Sequence, residues 1–80
     1  MKRIDLHYVA MLRESAGKAT ESISTSSPDV ATLFEEIAGR HAWPWPRHAF
    51  RPAVNDRVVD WQHPVEHGDR VLFLPPSSGG

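Results

Sequence analysis

Cysteine is absent from all 80 residues of this chain. That absence excludes disulfides, thiolate metal ligands and a cysteine nucleophile together, so any sulfur chemistry must use sulfur brought from outside. An excess of one charge is missing too: 9 Lys and Arg stand against 10 Asp and Glu, a formal net charge of −1. With no block of like charge, neither a nucleic acid nor a membrane surface is an expected partner. Long apolar runs are lacking as well. Met1-Lys2-Arg3-Ile4-Asp5 alternates charged and apolar residues, which reads as neither signal peptide nor membrane span and suggests a cytoplasmic protein. The five histidines give no ligand cluster. His63 and His67 are separated by helix spacing, but Pro64 and Gly68 argue against a helix presenting both, and His7, His41 and His48 have no acids at ligand spacing, so no metal site is expected. No Ser, His and Asp arrangement stands out either. A chain of this length forms one small domain with little room for a catalytic cleft, so function is expected on a surface or at an end, and not as catalysis by this chain alone.

What is present is a set of short periodic segments. Arg3, Asp5 and His7 alternate with Ile4, Leu6 and Tyr8, the period of a half-buried strand over residues 3–9. Residues 11–17 end in Arg13-Glu14-Ser15-Ala16-Gly17, read as a short polar turn, and 19–25 suits a second strand pairing as a hairpin. Ser27, Pro28 and Asp29 signal a helix start, with Ser27 as the expected cap. Val30, Leu33, Phe34, Ile37 and Ala38 then make one apolar stripe, ending at Gly39 or just after it. Residues 41–52, with three prolines, read as a loop, and Trp43 and Trp45 as a lid over the core edge rather than a binding site. Asn55-Asp56-Arg57 reads as a turn between Ala53-Val54 and Val58-Val59, and Gly68-Asp69 leads into a last strand at residues 70–74, ended by Pro75. The order β-β-α-β-β describes an α+β unit, a small sheet with one helix across one face.

Alternation along the last strand points Val71 and Phe73 one way and Leu72 and Leu74 the other. Because one helix covers one face, Leu72 and Leu74 are expected outside with Val9 and Val58 or Val59, an apolar patch suited to a partner. Arg40, Arg47, Arg51 and Arg57 read mostly as solvated surface, with some available to an acidic partner. Beyond the last strand lies Pro75-Pro76-Ser77-Ser78-Gly79-Gly80. The prolines stiffen this arm, and six extended residues reach up to about 20 Å. Gly79 and Gly80 suit narrow walls, and a C-terminal glycine offers a carboxylate with no side chain beside it. An inert polar terminus is the plainer reading of the same residues.

Arg13-Glu14-x-Ala16-Gly17, Val54-Asn55, His63-Pro64, Gly68-Asp69-x-Val71 and the Pro75-Pro76-x-x-Gly79-Gly80 ending together resemble the small, sulfur-carrying subunits of molybdopterin synthase, in the ubiquitin-like β-grasp family. The resemblance runs over essentially the whole chain, and the Trp43-Pro44-Trp45-Pro46 segment is its least family-like part. It implies a β-grasp domain over 1–74, a mixed sheet of four to five strands with one main helix on one face, and a flexible tail over 75–80. It implies that an ATP-dependent, ubiquitin-activating-like adenylyltransferase converts the Gly80 carboxylate to an acyl adenylate, and that sulfur from a donor protein replaces AMP. The resulting thiocarboxylate enters the large synthase subunit, with which the small subunit forms a heterotetramer, and gives sulfur to cyclic pyranopterin monophosphate. No cofactor resides in the small subunit itself. Gly80 is then the reactive residue with Gly79 beside it. Leu74, Leu72, Val58 and Phe73, with Pro75, Pro76 and Arg13, are candidates for docking or for holding the docking strand. A sulfur carrier of thiamine or cysteine synthesis, a protein-modifying relative and a β-grasp interaction module with an inert tail remain alternatives.

Overall fold

The computed structural model describes residues 1–76. The expected flexible tail beyond Pro76, with Ser77, Ser78, Gly79 and Gly80, lies outside the described residues. The N-terminal alternation becomes β1, Lys2–His7, with Ile4 and Leu6 buried. It pairs antiparallel with β2, Thr20–Thr25, setting Ile4 opposite Ile23 on the inner face.

The connection between them corrects the sequence reading: the residues taken for a polar turn form a helix, α1, Ala10–Ala16. Only Leu12 is fully buried in it, so the apolar signal is one residue deep and the polar run Arg13-Glu14-Ser15 hides it. The segment is rich in good helix formers, and Gly17 closes it at φ 76°, its N–H donating to Arg13 O at 2.9 Å.

The main helix, α2, spans Val30–His41 and buries Val30, Leu33, Phe34 and Ile37. Its cap is Asp29 rather than Ser27: Asp29 Oδ1 accepts the Thr32 N–H at 2.8 Å. Ser27 is committed elsewhere, its hydroxyl donating to Glu36 Oε1 at 2.9 Å and its N–H to Thr25 Oγ1 at 3.0 Å. Two further amides of the first turn, Val30 and Ala31, donate to His63 O at 3.1 Å and Trp61 O at 3.0 Å, so the loop of residues 59–69 completes the helix start. Gly39 lies inside the helix, which ends one turn of backbone later at Ala42, φ 53°, with Trp43 N–H on Ala38 O at 2.9 Å.

The expected loop of residues 41–52 contains a 3-10 turn, Arg47–Ala49, and its last two residues already belong to β3, Arg51–Val54. Pro52 is tolerated in that strand because its donorless side faces the short neighbour β4, Arg57–Val58, whose ladder reaches only Ala53 and Val54. Just past β4, the Val59 N–H donates to the Pro52 carbonyl at 3.0 Å, which draws Val59 against the core and leaves Val58, of the two, on the outer patch. The last strand, β5, Arg70–Leu74, enters the middle of the sheet, giving the order β2-β1-β5-β3-β4. β5 runs parallel to β1 and antiparallel to β3. The result is a five-stranded mixed sheet with α2 across one face, the ubiquitin-like β-grasp architecture, with α1 as an added short helix.

Phe34 is the centre of the core. Its ring meets Phe73 at 5.1 Å, Phe50 and Trp61 at 5.6 Å and Trp43 at 5.7 Å. Trp43 is buried, while Trp45 and Trp61 pack partly buried against the cluster. Val65, which the sequence did not single out, is buried under the 59–69 loop.

Candidate functional site

The position of β5 decides which side chains surround the root of the tail. Val71 and Phe73 point to α2 and are fully buried; Leu72 and Leu74 point to the opposite, outer face and are half-buried. Phe73 therefore holds the strand from the inside and has no surface to offer a partner.

Register builds the outer face. Leu72 stands between His7 of β1 and Ala53 of β3, and Ala53 stands opposite Val58, so His7, Leu72, Ala53 and Val58 form one row across four strands. Val58 is 55% exposed, the largest exposed apolar side chain beyond the N-terminal methionine. One step nearer the tail, Leu74 stands opposite Arg51. Sequence alternation identified Leu72, Leu74 and Val58, but His7, Ala53 and Arg51 join them only through cross-strand pairing, which the sequence does not display. Val9 is half-buried at the start of α1, and Arg13 is exposed on that helix, without an ion pair among the described residues. Pro75 is half-buried and Pro76 exposed. Gly79 and Gly80 lie outside the described residues.

Several residues that carried the family resemblance turn out to anchor β5. Asn55 and Asp56 form the β3–β4 turn at φ 51° and 71°, backbone angles that Asn and Asp adopt more readily than most residues. Asn55 Nδ2 donates to Asp69 Oδ1 at 2.9 Å, and Asn55 Oδ1 accepts the Arg70 N–H at 2.9 Å. Asp69 Oδ2 takes the Glu66 N–H at 2.8 Å, and its carbonyl takes the Asp5 N–H at 2.9 Å. Gly68, at φ 90°, turns the chain into this clamp. Asn55 and Asp69 thus fix where β5 begins, and with it which side chains reach the outer face.

The remaining charged groups are largely engaged. Arg70 pairs with Asp56, Arg40 with Glu36 at 3.0 Å, and Arg47 lies 3.8 Å from Glu35. Burial alone would raise the Glu36 carboxyl, but hydrogen bonds from Thr25 and Ser27 and the Arg40 charge outweigh it and leave its pKa below the ordinary value. Glu21 is lowered chiefly by the Tyr8 hydroxyl, which donates to it at 2.7 Å, and burial pushes the Tyr8 phenol up. His67 Nδ1 accepts the Arg3 N–H at 3.1 Å, so that ring is a loop anchor. Among the described residues no group of three or more His, Asp or Glu is placed to hold a metal ion. The clefts there are open ones, about 290 Å³ beside Phe50, Pro52 and Trp61 and about 300 Å³ beside Asp5, His7 and Thr20. Neither encloses a small molecule as a catalytic pocket would. The arrangement suits recognition over a sheet face next to an emerging chain end.

The model of the ThiS family matches residues 6–80. The molybdopterin synthase sulfur carrier subunit of Escherichia coli is 31% identical over 96% of this chain and 99% of its own. Among solved structures, the Pyrococcus furiosus protein described as subunit 1 of molybdopterin converting factor is 29% identical. It superposes at a TM-score of 0.78 over 95% of this chain and 99% of that one. A chain in the complex of subunits 1 and 2 of the Helicobacter pylori molybdopterin-converting factor, 20% identical, shares the fold at a TM-score of 0.67 over 98% of this chain and 99% of its own. Full-length similarity of sequence, together with a β-grasp sheet whose central strand leads into a Gly-Gly ending, places this chain in the ThiS family, among ubiquitin-like proteins that include the molybdopterin synthase sulfur carrier subunit.

Proposed function

We propose that this chain is the sulfur carrier of a molybdopterin synthase, with sulfur borne as a thiocarboxylate on Gly80. The observation that carries the reading is that β5, clamped at its start by Asn55 and Asp69 and lined outside by Leu72 and Leu74, runs directly into Pro75-Pro76-Ser77-Ser78-Gly79-Gly80. Its full-length similarity to a sulfur carrier subunit gives that arrangement its chemistry.

A carboxylate is a poor electrophile because its charge repels nucleophiles. An adenylyltransferase supplies the remedy: a Gly80 carboxylate oxygen attacks the α-phosphorus of ATP, pyrophosphate leaves, and the acyl carbon now bears AMP as a leaving group. Hydrosulfide delivered by a donor protein attacks the acyl carbon, forming the C–S bond as the C–O bond to AMP breaks, and loss of the S–H proton leaves the thiocarboxylate. The lack of cysteine fits this route, since sulfur must come from outside and no internal thiol competes for the activated carbon. The thiocarboxylate is anionic and nucleophilic at neutral pH, and the large synthase subunit receives it beside cyclic pyranopterin monophosphate. The outer face docks; the tail reacts.

Incubation of the protein with ATP, its adenylyltransferase and a sulfur donor should add about 16 Da to the intact mass as sulfur replaces oxygen. Fragmentation should place that gain on Gly80. Unchanged mass, or sulfur found on another residue, would overturn the reading. Transfer from the loaded protein to cyclic pyranopterin monophosphate, dependent on the large synthase subunit, separates this carrier from one serving thiamine or cysteine synthesis.

A further inference from the structure

We propose that Arg51 is a docking residue that pairs with a carboxylate on the large synthase subunit, so that the receiving surface sets an acidic group beside its apolar seat. The inference rests on the sulfur-carrier reading above and adds to it the charge of the partner at one position.

Arg51 is the direct cross-strand neighbour of Leu74, the last residue of β5 before the tail. Such neighbours have Cα atoms about 4.5–5.5 Å apart and side chains on the same face. Arg51 is exposed, and among the described residues its guanidinium has neither an ion pair nor a hydrogen bond. Of the other arginines on this outer face, Arg70 is held by Asp56 and Arg3 donates to Ser22 Oγ at 3.1 Å. The three strands around the tail root, β3, β4 and β5, contain no acidic residue that could neutralise Arg51. Asp60 lines the same open cleft as Arg51 but makes no ion pair with it, its carboxylate accepting the Gln62 N–H at 3.0 Å, so the Arg51 charge stands unpaired at the root.

A protein that draws the tail into its interior must cover Leu74, and in covering Leu74 it strips water from the guanidinium alongside. A desolvated, unpaired cation is strongly unfavourable, so a stable complex has to supply acceptors there. A carboxylate answers with two parallel hydrogen bonds to the planar fork, which also fixes the orientation of the carrier over its seat. Arg51 is contiguous with the Leu72, Ala53 and Val58 row, so the ion pair sits at the rim of an apolar contact, next to the point where the tail departs.

Calorimetric titration of the full chain against the purified large subunit, at low and at high ionic strength, tests this. Arg51→Glu should weaken binding by at least about tenfold at low ionic strength. Arg51→Gln should flatten the salt dependence, and Arg51→Lys should retain most of it, with all three variants unfolding at the wild-type temperature because the side chain is exposed. Wild-type affinity and salt dependence in Arg51→Glu and Arg51→Gln, or tighter binding of Arg51→Glu, would overturn the inference and leave the carrier reading standing. Absence of wild-type binding would overturn that reading and this inference with it.

Discussion

At the scale of single residues, the polar groups that matter most for the fold are those whose partners lie far away in sequence. Glu36 accepts the Thr25 hydroxyl at 2.5 Å and the Ser27 hydroxyl at 2.9 Å, tying the end of β2 to the middle of α2. These bonds favour the ionised carboxylate, so its folded-state pKa lies below the ordinary value of 4.5. In the window between the two values the unfolded chain binds more protons than the folded one, and stability rises with pH. The contribution is therefore present above the ordinary value and lost as pH falls through the depressed one. Urea unfolding followed from pH 6 down to about pH 3 should show declining stability in wild type and a shallower decline in Glu36→Gln. The slope should not vanish, because Glu21 and Asp29 are lowered as well. An identical slope in the variant would show that Glu36 is not a source of the acid sensitivity. None of this network is legible in the sequence, where Ser27 reads as a helix cap and nothing joins Thr25 to Glu36. The same is true of Asn55 and Asp69: their types suggest turns, and only the fold shows that the two turns clasp each other.

At the scale of elements, legibility follows the number of apolar residues that declare a period. α2 has four buried residues at helical spacing and β1 alternates cleanly, and both are readable without a structure. α1 has a single buried residue, so propensity and the polar run compete and the turn reading wins by default. The placement of the cap fails for a different reason: Ser27 and Asp29 are both good caps, and the choice is made by Glu36, which takes the Ser27 hydroxyl. Strand order is illegible because β1 and β5, 65 residues apart at the register pair Asp5 and Arg70, meet only once the helix has crossed the sheet. Leu12 nevertheless makes α1 a structural element rather than surface trim, since it is wholly buried among core residues. Replacing Leu12 with Ala should destabilise the protein by about 2–4 kcal/mol in denaturant unfolding, a cavity effect. A loss below about 0.5 kcal/mol would mean that the α1 segment contributes no more than a surface loop.

At the scale of the whole molecule, the fold and the chemistry occupy different parts of the chain. The buried apolar cluster begins at Ile4 and ends at Phe73, and the last strand ends at Leu74. Among the described residues the core is complete by Phe73, whereas the proposed activation requires the Gly80 carboxylate at the reach set by the tail. Removing Gly80 moves the terminal carboxylate back by one residue, about 3.3–3.6 Å along an extended chain. That exceeds the tolerance within which a nucleophilic oxygen and an α-phosphorus must meet for reaction. The deletion variant should therefore unfold at the wild-type temperature and keep its affinity for the large subunit to within about threefold, because the outer face and Arg51 are untouched. Its ATP-dependent adenylation, followed by pyrophosphate release, should fall by at least about a hundredfold. Binding and chemistry lost together would place the tail end in the docking energy. Adenylation retained at the wild-type rate would show that reach to Gly80 is not what the activating protein measures, and the division between a docking body and a reacting end would fail.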